Sequence, residues 1–187
     1  MQSFIRTLGR SAPVALLALV AASAARAQTC NNAGAASATC SVVATATATV
    51  QHVVAMDVGS TALGLTGITA IADYDAGGLA SKEDVNLHSI TVRANRSWTL
   101  SVKANAANWG FTAAGGTTDP SKVAGDLGWS TTGAAPYTAM TTSNATVATG
   151  SPTNASVQAM SYQTKYDITK DVPGTYSLGL TYTIAAP

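Results

Sequence analysis

Catalysis needs proton donors, nucleophiles or metal ligands held close together, and this sequence is thinly supplied with them. Its two histidines, His52 and His88, each fall on the apolar phase of a stretch with strand-like alternation. An imidazole in that setting is expected to be buried and hydrogen-bonded in a core. Asp73, Asp75, Glu83 and Asp84 are the densest acidic group. Carboxylate oxygens suit calcium, but this spacing matches no EF-hand loop, so solvated turn acids are expected. Adjacent strand residues project to opposite faces, so Glu83 and Asp84 do not form the paired carboxylates of a glycosidase. No G-x-S-x-G, H-E-x-x-H or phosphate-cradling glycine loop occurs. The expectation is a non-enzyme with no cofactor and no metal site.

Binding chemistry has better material. Trp109 and Trp129 sit near glycines in irregular stretches and are expected to be exposed, where an indole face could stack on a sugar ring. Trp98 is different. It alternates with Leu100, Val102 and Ala104, while Ser97, Thr99, Ser101 and Lys103 take the other phase. Side chains alternate across a strand, so Trp98 and Leu100 belong to a buried face and need a covering layer.

The elements that must position these residues are strands. Val42 to Met56 alternates Val and Ala against Thr over an unusual length and predicts one long strand, or two joined by a bulge. Thr66 to Ala72 predicts a shorter strand, followed by a turn at Asp73 to Gly78. Leu87 to Arg93 is expected to form an antiparallel hairpin with the Trp98 strand through Ala94, Asn95 and Arg96. Residues 105 to 139 read as a looser excursion, with a turn of helix near Ser121 to Ala124, and Thr141 to Pro152 as a surface loop. Val157 to Met160 and Tyr162 to Ile168 return to strand. Lys170 to Gly174 is a turn that returns the chain from Tyr162 to Ile168, as a hairpin, into a final strand, whose face of Tyr176, Leu178, Leu180, Tyr182 and Ile184 is the candidate layer over Trp98. The fold class is all-β: an antiparallel β-sandwich of about eight strands.

Residues 1–27 have the form of a secretory signal peptide: Arg6 and Arg10, an apolar run from Ala12 to Ala22, then Ala25-Arg26-Ala27. That run is shorter than the roughly 20 apolar residues a membrane-spanning helix needs. The remaining 28–187 suits one secreted domain with no transmembrane segment. Without the leader, seven Lys and Arg face nine Asp and Glu, a net of −2 with no basic run, which argues against nucleic acid as a partner. Cys30 and Cys40, the only cysteines, have nine residues between them. In an oxidising compartment they are expected to form a structural disulfide, contributing about 2–3 kcal/mol.

Ser-Trp-Thr-Leu-Ser-Val at 97–102 resembles the first Trp-x-Leu motif of WxL-type bacterial cell-surface domains. The terminal Pro-Gly-Thr-Tyr-Ser-Leu-Gly-Leu-Thr-Tyr-Thr-Ile, from Pro173, resembles the segment that carries the second, with Tyr182-Thr183-Ile184 in place of its tryptophan motif. The resemblance spans at most Val85 to Pro187. It implies a secreted β-sandwich held non-covalently at the cell surface, binding peptidoglycan, another wall polysaccharide or a surface protein, with Trp98, Leu100, Tyr176, Tyr182 and Ile184 as motif residues of the core. The alternative expectation is a structural subunit that self-assembles into a fibre, pilus or coat by exchanging β-strands. It rests on the long, low-charge Val42 to Met56 stretch and the alternating C-terminal strand.

Overall fold

The computed structural model describes residues 44–187, so the leader and both cysteines lie outside the described residues. The chain divides into two units, Met1–Thr49 and Val50–Pro187. Residues 44–49 of the first are exposed and carry no regular secondary structure. In the second, ten strands follow in order: β1 Val54–Val58, β2 Leu79–Ala94, β3 Trp98–Ala104, β4 Gly110–Ala113, β5 Leu127–Ser130, β6 Thr138–Ala139, β7 Ala145–Gly150, β8 Thr153–Asp167, β9 Gly174–Ser177 and β10 Leu180–Ala185. Two 3-10 turns, Ile71–Asp73 and Ala124–Asp126, are the only helical elements among the described residues. None is long and apolar enough to cross a membrane.

The fold is all-β and every pairing is antiparallel. A five-stranded sheet runs β1-β2-β8-β5-β6, a three-stranded sheet runs β10-β3-β7, and β4 pairs with β9. One hydrophobic core joins the inner faces: Ile90 and Val92 from β2, Leu127 and Trp129 from β5, and Met160 and Tyr162 from β8 cluster with the β3 residues. The β3 expectation holds residue by residue. Trp98, Leu100, Val102 and Ala104 are buried and the residues between them are half-exposed.

The pairing of the strands departs from the sequence reading in five places. Leu87 to Arg93 and the Trp98 strand are not a hairpin, because Asn95 to Ser97 carries the chain from one sheet to the other. Tyr162 to Ile168 does not fold back on the C-terminal strand either; β8 lies between β2 and β5. The C-terminal strand, interrupted at Leu178 and Gly179, does not cover Trp98 from a second layer. It lies beside β3 in the same sheet, with Tyr182 opposite Val102 and Ile184 opposite Leu100. Thr66 to Ala72 is irregular and ends in a 3-10 turn, and Thr141 to Pro152 contains β7, which completes the β3 sheet. Turn signals fix where a chain reverses but not which sheet the next strand joins.

The long Val42 to Met56 strand is also corrected. Only Val54 onward pairs, and the described residues before it carry no strand. Their alternation had placed His52 on a buried face, yet His52 is exposed and lies against Arg96.

Two local devices set the core. In β2 the step from Asp84 to His88 spans four residues while β8 advances two, from Tyr162 to Met160. Two extra residues preserve the strand phase, so His88, Ile90 and Val92 still face inward. Asn86 takes φ 52 in this bulge, a conformation asparagine tolerates well. At the other end of the core, Gly150 stands opposite Trp98, and the indole lies close against its backbone.

Candidate functional site

The sequence-predicted binding residues are not on the surface. Trp109 and Trp129 are each 6% exposed, which overturns the expectation of loop aromatics open to a ligand. The glycines beside Trp129 had suggested an irregular stretch, but Leu127-Gly128-Trp129-Ser130 is strand β5. Trp129 pairs with Tyr162 and faces the core, while Tyr137 packs over Gly128 on the other side. Trp109 donates its indole N–H to the Val123 carbonyl at 3.0 Å. Its buried ring borders the cavity described below. Of the motif residues, Trp98 and Leu100 are buried, and Tyr176, Tyr182 and Ile184 are half-buried against the same core.

The acids do separate work. Asp73 pairs with Lys82 at 2.6 Å, and that contact, with the Thr69 and Ala70 amides, holds its carboxyl well below the usual range. Asp75 caps the turn by accepting the Gly77 and Leu79 amides, and Glu83 accepts from Gln163. Asp84 grips Thr66, taking its amide at 3.0 Å and its hydroxyl at 2.6 Å. No cluster of three His, Cys, Asp or Glu side chains suited to a metal occurs among the described residues.

Thr66 matters because it positions a wall. Its carbonyl accepts a hydrogen bond from the Tyr166 hydroxyl at 3.0 Å. Asp84 and Tyr166 thereby fix the irregular segment that carries Leu63 and Leu65 at a distance from the β9–β10 segment. Between the two lies a partly open cavity of about 600 Å³. Leu63 and Leu65 line one side, Tyr176, Leu178 and Leu180 the other, and Trp109, Leu127, Tyr162, Tyr166 and Tyr182 also border it. None of the described lining residues is Lys, Arg, Asp, Glu or His. Leucine and aromatic surface with a few hydroxyls is what ligand cavities of this size are made of. A charged ligand entering it would lose hydration without gaining a counter-charge.

The inner end of the cavity meets a buried polar cluster. His88 Nε2 lies 2.9 Å from the Tyr162 hydroxyl and 3.0 Å from that of Tyr182, and the two hydroxyls hydrogen-bond each other. The three side chains come from β2, β8 and β10, so the cluster ties the two sheets together. Burial lowers the His88 pKa and keeps the imidazole neutral. Burial, with the neighbouring Tyr182, raises Tyr162, and burial likewise raises Tyr182.

No protein-family model matches this sequence, and no curated protein matches it.

The turn that feeds β9 is built on a residue the sequence reading passed over. Lys122 is almost fully buried, with its ammonium 2.9 Å from Asp171 and 3.6 Å from Asp126, and it donates to the Lys165 carbonyl at 2.5 Å. It also lies 4.8 Å from the centre of the Tyr166 ring. Burial first, then the Asp171 carboxylate, pushes the Tyr166 hydroxyl up to about 12. Tyr176 closes the turn by donating to the Val172 carbonyl at 2.8 Å and accepting its amide. A lone lysine between Ser121 and Val123 carries no local sign of burial. The tyrosines did carry a signal, since Tyr162, Tyr166, Tyr176 and Tyr182 all fall on predicted strand faces.

Proposed function

We propose that this chain is a secreted, non-catalytic protein of the bacterial cell surface that holds an uncharged stretch of wall polysaccharide in the cavity between Leu63–Leu65 and Leu178–Leu180. The observation that carries the reading is the cavity's lining, which offers apolar and aromatic surface with tyrosine hydroxyls and no charged side chain among the described residues. Ring faces suit the apolar face of a sugar, and hydroxyls suit its polar edge. The resemblance of Trp98-Thr99-Leu100 and of the C-terminal segment to WxL-type domains supports the cell-surface setting, as does the signal-like leader.

The test is co-sedimentation with purified peptidoglycan. Leu63→Lys puts a charge into the cavity from a segment that belongs to none of the three sheets, so it leaves strand pairing alone. The wild-type protein sediments with the polymer and the variant loses at least about tenfold in affinity, the scale of a desolvated, unpaired charge. Equal binding by both proteins refutes the cavity as the site.

A second reading, a self-assembling structural subunit, is favoured by one specific observation. The described residues ahead of β1 have the alternation of a strand, are exposed, and pair with no other described residue in a sheet. The two readings share the cavity and differ in its occupant.

A further inference from the structure

We infer that the outer edge of β10, together with the cavity beside it, accepts the Ala44–Val50 segment of a second copy as an added strand. This rests on the second reading above and names its donor and acceptor.

The acceptor is an edge with no hydrogen-bonded partner among the described strands, although β1 lies close to part of β10. β10 pairs with β3 on one side, and no described strand pairs with the other. Exposed sheet edges are normally blunted by charges, proline or a bulge. β10 reads Leu-Thr-Tyr-Thr-Ile-Ala and has none of these. Leu178 and Leu180 of the same segment line the cavity, so a strand laid along this edge finds both unpaired backbone groups and an apolar trough for alternate side chains.

The donor has the matching pattern. Ala44, Ala46, Ala48 and Val50 share one phase and Thr45, Thr47 and Thr49 the other, with no charge in the segment. Small apolar side chains on one face suit an uncharged trough of limited depth, and threonines suit the wet face. Seven extended residues reach about 23 Å, close to the roughly 20 Å of the six-residue β10. Val50 is 81% exposed, an apolar side chain with no cover of its own.

Geometry favours a second copy over the same chain. Asn95 pins the chain just ahead of β1, taking the Val53 amide at 2.9 Å and donating to the Gln51 carbonyl at 2.7 Å. Val53 precedes the end of β1 that pairs with Ala94, whereas Val58, at the opposite end, borders the cavity. In this structure Ala44–Val50 is exposed and forms no strand with the described residues of its own chain, which leaves the β10 edge to a second copy.

The experiment compares the secreted full chain with its Thr47→Pro variant. Proline removes a ladder N–H from the donor, at a position that forms no strand among the described residues of its own chain, so circular dichroism and the melting curve stay unchanged. By light scattering after size exclusion, the wild-type mass rises with concentration and the variant stays at the mass of one chain. A labelled Ala44–Val50 peptide then binds the Thr47→Pro protein and slows hydrogen exchange of the β10 amides. Wild-type protein that stays a single chain at every concentration overturns the inference, as does a variant that assembles equally well. A peptide that leaves β10 exchange unchanged also overturns it, and if peptidoglycan binding still depends on Leu63, the polysaccharide reading survives that failure. A wild-type monomer whose β10 amides are protected, and lose that protection in Thr47→Pro, reassigns the trough to the chain's own segment and overturns the second copy as occupant.

Discussion

Gly150→Ala tests how the motif tryptophan is held. A Cβ added at Gly150 would sit 2.5, 2.6 and 2.8 Å from three atoms of the Trp98 indole, where ordinary contact begins at 3.4 Å. The ring must therefore retreat by about 1 Å from a site in which it is only 3% exposed. Retreat also strains the indole N–H bond to the Ser151 carbonyl, now 3.0 Å. Overpacking of this kind costs about 1–3 kcal/mol, and a weakened hydrogen bond about 1 kcal/mol more. A net loss of about 2–3 kcal/mol is expected, or a melting temperature lower by about 4–12 °C. The assay is urea unfolding, in which the midpoint falls while the slope is unchanged. Trp98→Leu supplies the internal control. With the ring gone, Gly150→Ala becomes neutral or gains a few tenths of a kcal/mol, since glycine is a poor residue inside a strand. The same cost in both backgrounds, or a cost under about 0.5 kcal/mol in the wild-type background, refutes the packing of indole on glycine.

Lys122→Ala leaves Asp171 buried beside an empty space, and the expected loss is about 3–5 kcal/mol by urea unfolding. Lys122→Met keeps the packing against Tyr166, and a smaller loss in that variant separates volume from charge. Acid sensitivity is expected from His88. Burial holds its folded pKa below the ordinary imidazole value of about 6.5, so below that pH the unfolded chain takes up a proton that the native chain refuses. Stability is full above about pH 6.5 and falls as pH drops, by at most about 1.4 kcal/mol per unit for this one group. His88→Gln flattens the slope between about pH 6.5 and 5.5, above the range in which most carboxylates titrate, and an unchanged slope contradicts the assignment to His88.

What the sequence made legible was whatever a strand's own alternation encodes. Trp98 to Ala104 declares its buried face because every second residue is apolar, and Tyr182 and Ile184 declare theirs in the same way. The all-β class follows from several such runs separated by turn residues. Partners were not legible. Asn95 to Ser97 is short enough for a hairpin, but it crosses between sheets, and nothing in those residues distinguishes the two outcomes. The cluster of His88, Tyr162 and Tyr182 joins positions 74 and 94 residues apart, so only the assembled sheets bring it together. Trp129 was misjudged because Gly128 looked like a loop signal. It is instead the position where Tyr137 packs closely over the strand. The segment ahead of β1 illustrates the opposite limit, since strong alternation there marks a strand pattern without supplying a neighbour to pair with.

The most direct test of the cavity as the binding site is methyl NMR of the full chain, with Leu63, Leu65, Leu178 and Leu180 assigned. Solubilised peptidoglycan fragments and the Ala44–Val50 peptide are added in separate titrations. The account predicts that at least one of them shifts these four leucines together, saturably, while methyls outside the cavity lining such as Val157 stay put. Shifts confined to other surfaces, or none with either addition, contradict it.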